Sequence, residues 1–166
     1  MEIFLKDKNA LIPFNKLYQL YSTDIYRYSL SILKDEDDAK DALQETFIRY
    51  SDHEKDFRGE ASQKTWLLIT ARNYCYSILR RAENRNTRIE EGSDNYVHNP
   101  DYDTELTLND AIDRLAVEEN ELFFLKVHSN YSYAEIAELT NQTVENVAVK
   151  LHRIRNFLKK IVKDYQ

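Results

Sequence analysis

"SYAEIAELTNQTVENVAVKLHRIRNFLKK", residues 132–160, is the stretch on which the fold turns. "SYAEIAEL" spaces its apolar residues for a helix of about two turns, "TNQ" is a tight turn, and "TVENVAVKLHRIRNFLKK" is a longer amphipathic helix. Ser132 with Glu135 has the spacing of a capping box, so the first helix is expected to begin near Tyr133. Asn141 stands where such a turn often needs a left-handed residue, a conformation Asn tolerates. Thr143 can cap the second helix. Ala134, Ile136, Ala137 and Leu139 are expected to face inward from the first helix, with Ala137 small at the crossing. Val144, Val147, Leu151 and Ile154 are expected to face inward from the second. This is helix-turn-helix spacing. Asn146, Lys150, Arg153, Arg155, Lys159 and Lys160 are left on the outside. A helix N-terminus with Lys and Arg suits phosphates, while Asn and Arg can reach base edges. A plain helical hairpin with a solvated basic face would share the pattern.

The rest of the chain is also helical in character. Only two Gly and two Pro occur in 166 residues, too few for the turns of a sheet protein. Leu17, Leu20, Tyr21, Ile25, Tyr28, Ile32 and Leu33 recur at helical spacing and predict a bent or two-part helix over about residues 14–33. The acids of "KDEDD", residues 34–38, suit the first turn of a second helix running to about Tyr50. Ala39, Ala42, Leu43, Phe47 and Tyr50 form its apolar stripe. "SDHEKDFRGEAS", residues 51–62, reads as a loop, and a third helix is expected over about residues 63–82. Trp66, Leu67 and Ile69 are expected in the core. "NRNTRIEEGSDNYVHNPDYD", residues 84–103, has no apolar period and reads as a flexible linker. Helices resume at Leu106, Leu108, Ile112 and Leu115, and again across residues 122–127.

The net charge of −6 hides a block pattern. Residues 57–88 carry seven basic and two acidic side chains, and residues 123–166 seven and four. Residues 89–122 carry one basic and eleven acidic. A partner feels the local field more than the total, so the two basic blocks are compatible with nucleic acid. The single cysteine, Cys75, excludes an internal disulfide and a Cys-rich zinc site, and fits a reducing cytoplasm. His152 has no metal-ligand partner at i+4 or i−4. The N-terminus is too polar for a signal peptide, and no run approaches a membrane span. No nucleophile–base set, phosphate loop or metal-ligand set marks an enzyme. These features predict a cytoplasmic protein that needs no cofactor and does not insert into a membrane.

Three segments, "DAKDALQETFIRY", "FRGEASQKTWLLITARN" and "SYAEIAELTNQTVENVAVKLHRIRNFLKK", stand in an order and spacing that resembles the extracytoplasmic-function (ECF) sigma factors of bacterial RNA polymerase. The resemblance runs from about residue 14 to 162, apart from the linker. It implies an all-α chain of two small helical domains: region 2 over residues 1–86, a linker over 87–104, and a region 4 helix-turn-helix over 105–166. It implies a non-enzymatic protein that binds core polymerase, brings it to a promoter and helps open the −10 element. Partners would be core polymerase, promoter DNA in duplex and melted form, and an anti-sigma factor.

The resemblance also implies sites. Asp38, Asp41, Gln44 and Glu45 match the polymerase dock, an acidic and hydrogen-bonding strip suited to a basic helical clamp. Arg58, Gly59, Ser62, Lys64, Arg72, Asn73, Arg80 and Arg81 match the −10 segment, where melted strands need positive charge and surfaces for unstacked bases. Gly59 permits close backbone approach, and the Asn73 amide can donate and accept at an exposed base. Thr143, Asn146, Ala148, Val149, Lys150, His152 and Arg153 match the −35 contacts. Members often carry a basic residue and Ser where this chain has Ala148 and Val149. Apolar groups there can touch thymine methyls, which predicts a T-containing −35 site. The acidic linker would run near the polymerase cleft, although a solvated tether has the same composition. A DNA-binding regulator that uses only the helix-turn-helix is the alternative, and it leaves the first two segments without a role.

Overall fold

The computed structural model describes residues 11–57, 62–89 and 107–163, all helix and connection. Its helices are α1 (Phe14–Leu33), α2 (Glu36–His53), α3 (Gln63–Ile89), α4 (Leu108–Asp113), α5 (Val117–Val127), α6 (Tyr133–Thr140) and α7 (Val144–Lys163), with a 3-10 turn at Glu54–Asp56. The chain divides into two compact units, Met1–Ile78 and Leu79–Gln166, the division falling within α3.

In the first unit α1 packs along α2. α1 is one continuous helix, closed by Lys34 in a left-handed conformation (φ 56°) whose N–H donates to the Leu30 carbonyl at 2.9 Å. The Asp35 carboxylate then accepts from the N–H groups of Asp37 and Asp38, both at 2.9 Å, and starts α2. Glu36, Asp37 and Asp38 fill its first turn, where acids meet the positive end of the helix dipole. α2 extends past Tyr50 to His53, so the first residues of the expected loop are helical. Leu17, Ile25, Tyr28 and Ile32 are buried in α1, and Ala39, Ala42, Phe47 and Tyr50 in α2. Phe14, at the start of α1, touches Phe47 and Tyr50, near the end of α2, with centroids 6.1 and 6.4 Å away, so the two helices run antiparallel. Tyr50 also meets Trp66 of α3 edge to face at 5.6 Å. Leu67, Leu68, Ala71 and Cys75 are the buried side of α3.

In the second unit α4, α5 and α6 all pack on α7. The core is Ala111, Leu122, Leu125, Ile136, Ala137, Leu139, Val147, Leu151, Ile154 and Leu158. Local rules set its helix ends. Ser132 and Glu135 make the reciprocal capping box, Ser132 N–H to the Glu135 carboxylate at 2.7 Å and Glu135 N–H to Ser132 Oγ at 3.2 Å. Asn141 ends α6 in the left-handed region (φ 54°, ψ 47°), and Thr143 Oγ1 accepts from Asn146 N–H at 3.2 Å. Thr107 caps α4 with Asp110, whose carboxyl is held below its ordinary value by the Thr107 hydroxyl and then the Thr107 backbone N–H. Ser132→Ala is expected to cost about 1 kcal/mol of this unit's stability, the usual loss for an N-cap. Urea unfolding followed by circular dichroism measures it, and an unchanged midpoint would show that the cap is redundant.

Three side chains expected inside lie outside: Ile69, Ala134 and Val144 are exposed, and so is Leu20 of the apolar period of α1. Ile69 is two residues from the buried Leu67, and two residues turn a helix by about 200°, to the opposite side. Ala134 and Val144 sit in the first turns of α6 and α7. α3 also runs beyond Ala82 to Ile89, into the first residues of the expected linker. From residue 90 to 106 the linker lies outside the described residues.

Candidate nucleic-acid interface

α3 presents a mixed outer face. Opposite Leu67, Ala71 and Cys75, helical spacing places Ile69, Arg72, Asn73 and Tyr76 together. Ile69 is 38% exposed. The Arg72 guanidinium lies over the Tyr76 ring, 4.6 Å from its centroid, one turn along the helix. Both side chains are half-buried, and the contact holds a flat cation against a flat ring. Arg80 and Arg81, both exposed, follow past Ile78 in the part of α3 assigned to the second unit. Ser62 stands at the helix start. Its Oγ accepts from Thr65 N–H at 3.1 Å and shares a hydrogen bond with Thr65 Oγ1 at 2.6 Å. Lys64 lies off the outer face, its ammonium 5.8 Å from the Tyr21 ring of α1. Arg58 and Gly59 lie outside the described residues.

α7 turns Val147, Leu151, Ile154 and Leu158 inward and Asn146, Val149 and Arg153 outward. Phe157, 40% exposed, and Lys160 continue that outer side toward the C-terminal end. His152 is exposed and Ala148 half-buried, on an adjoining side. The Asn156 amide lies 3.0 Å from His152 Nε2. Lys150 is different. Its ammonium donates to Gln142 Oε1 at 2.9 Å and lies 3.5 Å from the Glu118 carboxylate of α5. The residue numbers of a helix-turn-helix give no hint of that contact, because Glu118 is remote in sequence.

α2 carries the acidic strip. Asp41 and Gln44 are exposed and Asp38 and Glu45 half-buried. Ile48, 56% exposed, stands on the same side of α2 one turn past Gln44 and Glu45. Glu45 pairs with Arg49 at 2.7 Å. An exposed i, i+4 pair is worth only about 0.3–0.5 kcal/mol, so Glu45 can exchange this partner for another cation. Among the described residues no group of three His, Cys, Asp or Glu gathers as a metal site. No helix among them is long and apolar enough to cross a membrane.

The sequence matches two families in order, Sigma-70 region 2 over residues 17–85 and Sigma-70, region 4 over residues 105–158. It is 30% identical over 151 residues to the ECF RNA polymerase sigma factor SigM of Bacillus subtilis, spanning 87% of this chain and 92% of that one. The chain belongs to the ECF sigma factors of the sigma-70 family. Its similarity to SigX of Bacillus subtilis is 26% over 160 residues, covering 89% of this sigma factor and 82% of that one. Among solved structures it resembles the sigma factor RpoE of Bartonella quintana, solved in complex with the anti-sigma factor NepR. The TM-score is 0.73 at 20% identity, over 90% of this chain and 96% of that chain, a likeness of fold. As a sigma factor the protein is not an enzyme, and it directs RNA polymerase to promoters.

Proposed function

We propose a division of labour among three helix faces of this sigma factor. The α2 face of Asp38, Asp41, Gln44 and Glu45, continued by Ile48, binds core polymerase. The outer face of α3, with Ser62 at its start and Arg80 and Arg81 beyond, engages the melted −10 strand. Asn146, Val149 and Arg153 of α7 read the −35 duplex, with Thr143, Ala148, Lys150 and His152 beside them. The region 2 assignment covers residues 1–86 and the region 4 assignment 105–166, joined by a linker over 87–104.

The observation that carries the reading is the composition of α3's outer face. An exposed isoleucine and an exposed amide flank a half-buried arginine laid on a half-buried tyrosine ring, on the side of α3 away from Leu67, Ala71 and Cys75. A single strand with unstacked bases needs flat surfaces, positive charge and a group that can both donate and accept. Opening the duplex requires no chemical step, because binding energy to the melted strand shifts the equilibrium toward it.

Bartonella quintana RpoE was solved with an anti-sigma factor bound, and an anti-sigma factor is the third partner proposed for this chain. The test of the whole reading is capture of bacterial core polymerase by the purified protein, then run-off transcription on genomic fragments. New start sites sharing upstream elements support it. Duplex binding without polymerase capture would contradict it.

The Lys150 contacts give a second test. Glu118 competes with DNA phosphate for the Lys150 ammonium. Glu118→Gln is expected to tighten duplex binding and to steepen the log–log salt dependence by about 0.9, the slope of one added phosphate contact. Fluorescence anisotropy across a salt series reads both. An unchanged slope would mean that Lys150 does not reach phosphate.

A further inference from the structure

The start of α3 is fixed by a buried amide. Gln63, its first residue, is only 8% exposed. Its Oε1 accepts from Ile12 N–H at 2.8 Å, and its Nε2 donates to the Ile12 carbonyl at 3.0 Å. The side-chain amide thus pairs with the backbone of Ile12 as one strand pairs with another. Nε2 also donates to the Tyr50 hydroxyl at 2.5 Å. Tyr50 is itself buried and touches Phe14, Phe57 and Trp66. One glutamine therefore joins three pieces of chain: the segment before α1, the end of α2, and the first turn of α3.

We propose that Gln63 is a positioning residue for −10 strand capture, which aims the outer face of α3 by fixing that helix's rotation about its own axis. An apolar stripe such as Leu67, Ala71 and Cys75 is non-directional and tolerates small rotations. A buried amide is not tolerant, because any rotation that breaks its bonds strands a polar group away from water. The rotation that keeps the Gln63 bonds turns Ile69, Arg72, Asn73 and Tyr76 outward. Gln63 also sets where the chain re-enters α3 at Ser62, whose carbonyl accepts from Trp66 N–H at 3.0 Å. Gln63 itself touches no DNA. Its role rests on the reading of α3's outer face proposed above.

The test uses the full chain reconstituted with core polymerase on a supercoiled plasmid bearing a promoter mapped by run-off transcription. Permanganate reactivity of −10 thymines reads opening, anisotropy reads polymerase capture, and circular dichroism reads folding. Gln63→Leu fills the space and removes the amide; Tyr50→Phe keeps the ring and removes one acceptor. Gln63→Leu is expected to lower the open fraction about tenfold and Tyr50→Phe by less, with polymerase capture unchanged within about twofold. Opening unchanged in both folded variants would overturn the proposal. So would parallel loss of capture and opening, the mark of a generally loosened unit. Arg72→Ala with Asn73→Ala separates the two levels. If that pair leaves opening intact, the reading of α3 fails and Gln63's role with it. If the pair abolishes opening and the Gln63 and Tyr50 variants do not, only the positioning role falls.

Discussion

Ile48→Asp is expected to weaken capture of core RNA polymerase by about thirtyfold, some 2 kcal/mol, the scale of an interface hot spot. The protein itself should remain as stable as before. Ile48 is more than half exposed, and surface substitutions usually move stability by no more than about 0.5 kcal/mol. The effect belongs to the complex. One turn past Gln44 and Glu45, on the same side of α2, Ile48 is an apolar group that water does not favour. A basic partner surface would satisfy the carboxylates and the amide and bury the isoleucine beside them. A buried aspartate in its place adds an unpaired charge to the middle of that contact. Gln44→Ala with Glu45→Ala should cost less, about five- to tenfold, because rim charges contribute mainly to encounter. Anisotropy titration of labelled protein with core enzyme compares the variants. Equal affinity for wild type and Ile48→Asp would remove polymerase docking from this face of α2.

Arg153→Ala is expected to weaken binding to the −35 duplex by about 1–3 kcal/mol, roughly five- to 150-fold, while polymerase capture is unchanged. Arg153 points outward from the middle of α7 beside Asn146 and Val149, away from Leu151 and Ile154. An arginine so placed can make a bidentate contact with a guanine edge, and its loss should relax preference at one base pair as well as lower affinity. Lys150→Ala should cost less than Arg153→Ala. Its ammonium is already held by Gln142 and Glu118, so part of any DNA contact is offset by bonds given up. Electrophoretic mobility shifts with a mapped promoter duplex, read beside polymerase pull-down, separate the two activities. Equal loss of both would show that Arg153 supports the fold and not the DNA contact.

What could be read from the chain, and what could not, divides by range. The ends of α6 and the start of α7 were legible because each depends on residues within a turn: Ser132 with Glu135, Asn141 in the left-handed region, Thr143 ahead of Asn146. The acidic start of α2 was legible for the same reason. The buried stripes were mostly legible, since periodicity reports a face. It does not report how much of that face is covered, and Ala134 and Val144, in the first turns of α6 and α7, stay exposed. Nor does it say when an apolar residue is left outside, as Ile48 and Ile69 are. The least legible features were polar contacts between distant residues. Gln63 looks like any surface glutamine until Ile12 and Tyr50 arrive beside it, and Lys150 looks like a free DNA contact until Glu118 does.

Site-specific photocrosslinking in a complete polymerase–promoter complex tests the division of labour most directly. A photoreactive residue is placed in turn at positions 48, 73 and 149, and each adduct is identified. The account predicts a polymerase subunit at position 48, the −10 strand at position 73, and the −35 duplex at position 149. Position 48 linked to DNA, or position 73 linked only to polymerase, would contradict it.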